Sequence, residues 1–174
     1  TFISSKDSIF ADFWEKFKLD SISGNWEYID SALFGYAAGK VIESFVKFRL
    51  EPSQSVVAHF HEWMTGAGIL YLKSRNLAIG TVFTTHATVV GRCISCNNLP
   101  LYSQFDSYNG DEMARRFNVT ARHSLEKCAA NNADVFTTVS DITAREAMQF
   151  LGRMPSIITP NGFENSLVPA PPEY

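Results

Sequence analysis

The sequence predicts an α/β fold, a Rossmann-like parallel sheet with flanking helices. Apolar segments of strand length alternate with longer segments of helical period, and such alternation forms βαβ units with right-handed crossovers. A polar segment follows each expected strand. The strand segments are SVVAHF, LAIGTVFTT, ADVFTTV and SIIT, and the polar segments at their ends are HFHEW, THAT, VSDIT and TPNG.

The composition favours one globular domain. The chain has 174 residues, of which 45% are hydrophobic and 19% charged, enough for a single core. A net charge of -3 without a basic stripe argues against nucleic acid or a membrane surface as partner, and no segment reaches the ~20 apolar residues of a membrane span. The opening TFISSKDSIF lacks the order of a signal peptide, and the cysteine count is odd, so we expect reduced thiols and a cytoplasmic location.

Two amphipathic helices are expected in the first third of the chain, separated by LDSISGN. The apolar face of the first helix contains Phe10, Phe13, Trp14 and Phe17. The apolar face of the second contains Phe34, Ala37, Ala38, Val41, Ile42, Phe45 and Phe48.

Two further helices are expected before the last strand, in addition to the helical segment MTGAGILYLKSR. Ser140 occupies the N-cap position of the later one and Gly152 its C-terminal stop. The final LVPAPPEY is typical of an extended linker. We therefore expect a partial Rossmann-like domain over residues 1–166 and a Pro-rich linker over 167–174. The earlier of the two further helices, which precedes the strand ADVFTTV, is expected to run unbroken through Met113, Phe117, Ala121, Leu125 and Cys128.

The polar segments predict a ligand site, because ligands of open α/β sheets bind in the crevice outside the carboxyl ends of the strands. His86 lies just past its strand, where it is placed to hydrogen-bond a ligand or offset negative charge, or else to cap the next helix. Arg92 offers a planar fork for a phosphate or carboxylate, or else is a solvated helix residue.

Glu62 and Trp63 begin the helix after the first strand. A carboxylate beside an indole suits a sugar, since the acid accepts a hydroxyl while the ring packs on the apolar sugar face. The alternative is an acid favoured there by the helix dipole. Position alone leaves the two interpretations even.

A metal site is not expected. His59 and His61 are expected to point to opposite faces of their strand, so that they do not share a ligand. Zinc bound by one of them with Glu62 and His86 is the alternative, but HEWMT lacks the second histidine of H-E-x-x-H.

The cysteines are interpreted as buried thiols. Cys93 and Cys96 have redox-motif spacing, but they do not directly follow a strand as a thioredoxin-type pair does. Cys128 is distant from them and lies on an apolar face. A zinc site of three cysteines and one histidine is the alternative.

Four segments, in this order, carry a family resemblance: VVAHFHEWMTGAG, TVFTTHATVVGR, CAANNADVFTTVSDITAREA and TPNGFE. They resemble the glycogen synthases of the fungal and animal type, retaining glycosyltransferases of family 3. The resemblance implies a GT-B fold, two Rossmann-like domains across a cleft, with this chain as part of the N-terminal, acceptor-side half. It also implies glucose transfer from UDP-glucose to the non-reducing end of an α-1,4-glucan, with no cofactor. The implied partners are the glucan, the nucleotide sugar and the missing C-terminal domain, and a homo-oligomer is allowed.

The resemblance also implies roles for individual residues. His86 is expected to lie against the donor sugar near the reacting centre, and Glu62 to orient the donor sugar or the acceptor, so both are assigned as catalytic. The expected substrate-binding residues are Arg92 at the donor sugar or phosphate, Trp63 in the cleft wall, Asn161 at the hinge side, and Thr85.

Two alternatives stay open. The family's glycine-rich loop and second domain are not in this sequence, so the isolated chain is expected not to turn over, and a glucan-binding or assembly module is the first alternative. Its support is the 13% aromatic content, although Trp14, Trp26 and most phenylalanines are expected on apolar helix faces. The second alternative is a related starch or sucrose synthase-type enzyme.

Overall fold

The structure, a computed structural model, describes residues 2–51, 53–162 and 164. Within this part of the chain, four parallel strands form one sheet in the order β1-β2-β3-β4. The predicted α/β class is confirmed, and the sheet with its flanking helices agrees with the N-terminal Rossmann-like half of a GT-B fold. The predicted linker over 167–174 lies outside the described residues. The strands are β1 (Val56–His61), β2 (Ile79–Thr85), β3 (Val135–Thr138) and β4 (Ile157–Ile158).

The helices connect and cover these strands. They are α1 (Lys6–Phe17), α2 (Trp26–Arg49), α3 (Glu62–Ser74), α4 (Val89–Cys96), α5 (Gly110–Arg116), α6 (Thr120–Asn132) and α7 (Asp141–Leu151). The predicted caps of α7 are confirmed, because the Ser140 hydroxyl accepts from the Thr143 amide and Gly152 ends the helix at φ 75°. No helix among the described residues combines the length and apolarity needed to cross a bilayer.

The predicted buried face of α2 is wrong. Phe34, Phe45 and Phe48 are 63%, 56% and 81% exposed, and the side that α2 buries includes Gly35 and Gly39 instead. The two helices approach so closely that a Cβ on Gly35 would lie 2.9 Å from the Thr65 carbonyl oxygen of α3. Periodicity locates apolar stripes, but only the partner helix decides that the stripe with small residues is the one in contact.

Two tryptophans are also more exposed than expected. Trp14 of α1 is 50% exposed and Trp26 of α2 is 58% exposed. Phe13, the neighbour of Trp14 in α1, is buried in the core, whereas the Trp14 ring lies at the surface. The expectation that both tryptophans lie on packed faces is therefore corrected.

The single helix predicted through Phe117 is two helices. α5 ends at Arg116 and α6 begins at Thr120, with Asn118 between them in the left-handed conformation at φ 55°. Asparagine tolerates this conformation better than most residues with a side chain. The apolar spacing continues across the break, which is why the pattern did not reveal it.

The main core lies between the sheet and helices α1, α2, α3 and α6. Phe83 of β2 and Phe136 of β3 are fully buried, and their rings stack with centroids 5.8 Å apart. A second apolar cluster, around Phe105 and Phe150, joins α4, α5 and α7. These cores fix the relative positions of the strand ends that form the candidate site.

Candidate active site at the carboxyl edge of the sheet

Hydroxyl groups line the carboxyl edge of the sheet. His59 Nε2 lies 2.7 Å from Thr84 Oγ1, which lies 2.6 Å from Thr137 Oγ1 on the next strand. The Thr138 hydroxyl donates to the carbonyl of Thr85 at 2.8 Å. These bonds align the ends of β1, β2 and β3, because parallel register brings the polar residues after each strand to the same edge.

The residues Glu62, His86 and Arg92 meet above this edge. The His86 backbone N–H donates to Glu62 Oε1 at 2.9 Å, and Arg92 Nη2 lies 3.7 Å from the same oxygen. The Glu62 side chain is only 17% exposed, whereas that of Arg92 is 59% exposed. We call Glu62, His86, Arg92 and the neighbouring His61 the carboxyl-edge cluster. It presents one cation and two imidazoles around a largely covered carboxylate.

Glu62 has an uncommon backbone conformation. It begins α3 with φ 61°, in the left-handed region that residues with a Cβ rarely adopt. The turn between β1 and α3 directs its carboxylate to the loop between β2 and α4. Strain of this kind concentrates at functional sites, so the conformation supports a functional assignment for Glu62.

The expectation that His59 and His61 point to opposite faces is wrong. Their rings lie 4.2 Å apart, because residues two positions apart on a strand share a face. His61 Nδ1 also lies 3.4 Å from His86 Nε2. Burial lowers the pKa of His61, and the neighbouring His59 and His86 lower it further. A neutral His61 is therefore placed to pair with the His86 ring.

The remaining predicted site residues have different surroundings. The Trp63 ring stacks on Tyr28 at 6.2 Å, with the Arg122 guanidinium 5.5 Å from its centroid, so these contacts face α2 and α6. Thr85 is fully buried, with its hydroxyl bonded to Glu126 and its carbonyl to the Thr138 hydroxyl. Asn161 is exposed after β4. Their assignment to substrate binding stays a prediction.

Two buried glutamates of the site region were missed by the sequence analysis. Glu126 of α6 is fully buried and Glu146 of α7 is 3% exposed; Glu126 bonds to the end of β2 and the start of α4, and Glu146 bonds to Thr88 between them. The signal that could have revealed Glu126 is its spacing of three and four residues from Ala129 and Ala130, which places it on the same face of α6 as two small apolar residues. Buried carboxylates need partners, so each points to a polar neighbour.

The cysteines only partly fit the interpretation as buried thiols. Cys96 is exposed, while Cys93 and Cys128 are half-buried, and all three are free. Burial raises the pKa of the Cys128 thiol to about 11 and also raises that of Cys93. The described residues contain no group of three or more histidines, cysteines or acids arranged to hold a metal ion.

A parallel α/β sheet with clustered ionisable groups at its carboxyl edge is the architecture of a ligand-binding Rossmann-like domain. A family model described as glycogen synthase matches residues 3–171. The chain therefore belongs to the glycogen synthase family.

Curated relatives from animals, fungi and amoebae are similar to this chain. It is 37% identical over 151 residues to the liver glycogen (starch) synthase of Rattus norvegicus, an alignment that covers 87% of this chain and 21% of that protein. It is 38% identical over 152 residues to glycogen (starch) synthase isoform 2 of Saccharomyces cerevisiae, with 87% and 21% covered. The protein of Dictyostelium discoideum is 37% identical over 142 residues, with 82% and 16% covered. The chain thus spans about a fifth of the length of these relatives.

Proposed function

We propose that this chain is part of a retaining glucosyltransferase, a glycogen synthase that transfers glucose from UDP-glucose to the non-reducing end of an α-1,4-glucan. Membership of the family supports the reaction class. The observation that carries the site is the meeting of Glu62, His86 and Arg92, since Glu62 Oε1 accepts from the His86 amide and lies 3.7 Å from the Arg92 guanidinium. Two segments that are distant in sequence, one with Glu62 and one with His86 and Arg92, thus present their polar groups together.

The arrangement suits transfer of a glycosyl group from a nucleotide. The reaction develops positive charge at the anomeric carbon and negative charge on the leaving phosphate, and groups preorganised toward those charges lower the barrier. The exposed Arg92 fork is suited to the donor's phosphate or sugar hydroxyls. The His86 ring lies 3.4 Å from His61 at the same edge, and its proposed role is to contact the donor sugar. Glu62 holds the His86 backbone and completes the site.

The proposal includes a second domain that faces this edge. Most of the acceleration in phosphate departure comes from donors around the phosphate, and Arg92 is the one guanidinium of the carboxyl-edge cluster. We therefore expect the isolated chain to have no turnover. Of the proposed partners, the glucan and the nucleotide sugar bind between this edge and the opposing domain, and a cytoplasmic location is supported by the free thiols.

The experiment measures glucose transfer to glycogen by the full-length protein that contains this chain, with UDP-glucose and with ADP-glucose. His86→Ala and Glu62→Ala are expected to lower kcat by about 100-fold or more, because each removes a group aligned with the reacting centre. Glu112→Ala, an exposed carboxylate on α5, is the matched control and is expected to leave kcat unchanged. Transfer only from ADP-glucose would favour the related starch synthase type, and silent substitutions would refute the site.

A second candidate function is glucan binding without turnover. The half-exposed rings of Trp14 and Trp26 favour it, because exposed indoles stack on the apolar faces of sugar rings. Electrophoresis of the chain in gels that contain glycogen tests this function. Retardation that is lost in Trp14→Ala or Trp26→Ala and kept in Phe48→Ala, an exposed control on α2, would support it. Equal mobility in gels with and without glycogen would refute it.

A further inference from the structure

Two buried carboxylates lie beneath the segment that carries His86. This segment, which we call the β2–α4 loop, contains residues 86–88 and connects the end of β2 to the start of α4. Glu126 reaches it from α6 and Glu146 from α7, and both side chains are almost completely inaccessible to solvent. Neither residue belongs to the carboxyl-edge cluster, so the proposed reaction leaves both unexplained.

Glu126 bonds to both ends of the loop. Its Oε1 lies at hydrogen-bond distance, 2.8 Å, from the Thr85 hydroxyl oxygen, and its Oε2 accepts from the Val89 backbone N–H at 2.9 Å. Thr85 is the last residue of β2 and Val89 the first of α4. One carboxyl group therefore sets the separation between the two ends of the loop.

Glu146 holds the N-cap of α4. Its Oε2 accepts from the Thr88 hydroxyl at 3.0 Å, and the same hydroxyl oxygen accepts from the Gly91 N–H at 3.0 Å. Its Oε1 accepts from the Tyr102 hydroxyl at 2.9 Å. A Cβ on Gly91 would lie 2.3 Å from Glu146 Oε2, so α4 and the carboxylate are in close contact.

We propose that Glu126 and Glu146 are positioning residues that hold the β2–α4 loop, and with it His86 and Arg92, in the arrangement that binds the donor. The inference rests on the proposed function for its catalytic consequence. Its structural content is independent of that function, because the bonds to Thr85, Thr88 and Val89 exist in the chain itself.

Glu126 carries a proton near neutral pH. Burial raises its pKa to about 8 against the opposing bonds from Val89 and Thr85, and the charged groups that face it are the carboxylates of Glu62 and Glu146, which raise it further. The protonated carboxyl donates to Thr85 Oγ1 and still accepts from Val89. The Thr85 hydroxyl then donates to the Ala87 carbonyl, 3.3 Å away in the loop.

Ionisation of Glu126 changes this arrangement. The Thr85 hydroxyl must turn from the Ala87 carbonyl to the new carboxylate, and an uncompensated charge appears beneath the loop. We therefore expect the geometry of the loop to depend on pH around the value at which Glu126 ionises. A glutamine reproduces the protonated form, with its amide N–H donating to Thr85 and its oxygen accepting from Val89.

The test compares Glu126→Gln, Glu126→Ala and Glu146→Ala with the unmodified full-length protein, measuring kcat and KM for UDP-glucose between pH 6 and 10. Both alanine variants are expected to lower kcat by about tenfold or more, since misplacement of a catalytic group by 1 Å is enough for such losses. The unmodified protein is expected to lose kcat above about pH 8, where Glu126 ionises. Glu126→Gln is expected to recover most of the loss seen in Glu126→Ala and to show no such decline at alkaline pH. Glu112→Gln, an exposed carboxylate, is the matched control.

A second measurement follows the Val89 amide resonance of the 174-residue chain by NMR. It is expected to titrate near pH 8 in the unmodified chain and not in Glu126→Gln. The inference is overturned by a Val89 amide that does not titrate, by an alkaline decline that persists in Glu126→Gln, or by alanine variants that keep full kcat. No transfer by the unmodified protein would refute the proposed function alone, and the Val89 titration would still decide this inference.

Discussion

Replacement of Glu126 by glutamine is expected to stabilise the protein, and increasingly so as the pH rises. In the folded chain the pKa of Glu126 is raised from its ordinary value of 4.5 to about 8, chiefly by burial. A raised carboxyl pKa contributes stability that is complete below 4.5 and is lost as the pH rises through about 8. The neutral amide of glutamine has no such dependence.

The magnitude follows from the interval between the two pKa values. At pH 7, the pH lies 2.5 units above the ordinary value of 4.5, which corresponds to about 3 kcal/mol at about 1.4 kcal/mol per pH unit. Above pH 8 the difference reaches its limit of about 5 kcal/mol. Below pH 4.5 this pH-dependent difference in free energy of unfolding between Glu126→Gln and the unmodified chain vanishes, because the carboxyl is protonated in the folded and the unfolded chain alike.

Urea unfolding of the 174-residue chain, followed by circular dichroism from pH 5 to 8.5, measures this difference. Other groups titrate equally in both proteins, so the difference between their free energies of unfolding isolates Glu126. Glu112→Gln is the control and is expected to follow the unmodified chain. A Glu126→Gln chain that is no more stable at pH 8 than the unmodified one would refute the assignment of a protonated Glu126.

Three further predictions concern the acid limit and the packing of the fold. The pKa of Asp134 is lowered to about 2, first by the hydrogen bond from Lys73, so the stability that this carboxylate contributes is lost as the pH falls through about 2. Asp134→Asn is therefore expected to make the free energy of unfolding depend less steeply on pH in acid. Gly68→Ala is expected to lower the free energy of unfolding in urea by about 1–3 kcal/mol, because the added Cβ would lie 2.3 Å from a ring carbon of Phe60 in β1. A Cβ at Gly162 would meet no atom within 4 Å, so Gly162→Ala is expected to be neutral. Phe150→Ala, at a site 2% exposed, should cost about 3–5 kcal/mol by the same assay, and Phe48→Ala, 81% exposed, should cost little; equal losses in the two would contradict the assigned core.

The four strands and the polar segments after them were predictable from local patterns. SVVAHF and ADVFTTV have the β-branched residues and the length of buried strands, and both form strands of the sheet. Ser140 and Gly152 act within a few residues of themselves, so the limits of α7 followed from the sequence. The fold class depends on the order of such elements, which the sequence contains directly.

The packed faces of the helices were not predictable in the same way. α2 carries an apolar stripe through Phe34 and Phe48 and a second side with small residues, and its contact with α3 uses the second. The left-handed Asn118 divides α5 from α6 without any interruption of the apolar spacing. Both features depend on what lies across the contact, which a periodicity does not contain.

The sequence by itself determined the fold class, the family and the candidate residues Glu62, His86 and Arg92, because strand patterns and motifs are local. Only the tertiary structure decided that the Glu62 carboxylate meets the His86 backbone and the Arg92 guanidinium, since Glu62 and His86, 24 residues apart, come together through parallel register and a left-handed turn at Glu62. It also decided that Glu126 and Glu146 lie beneath them. A buried carboxylate is defined by the partners and the solvent around it, and these exist only after the chain has folded.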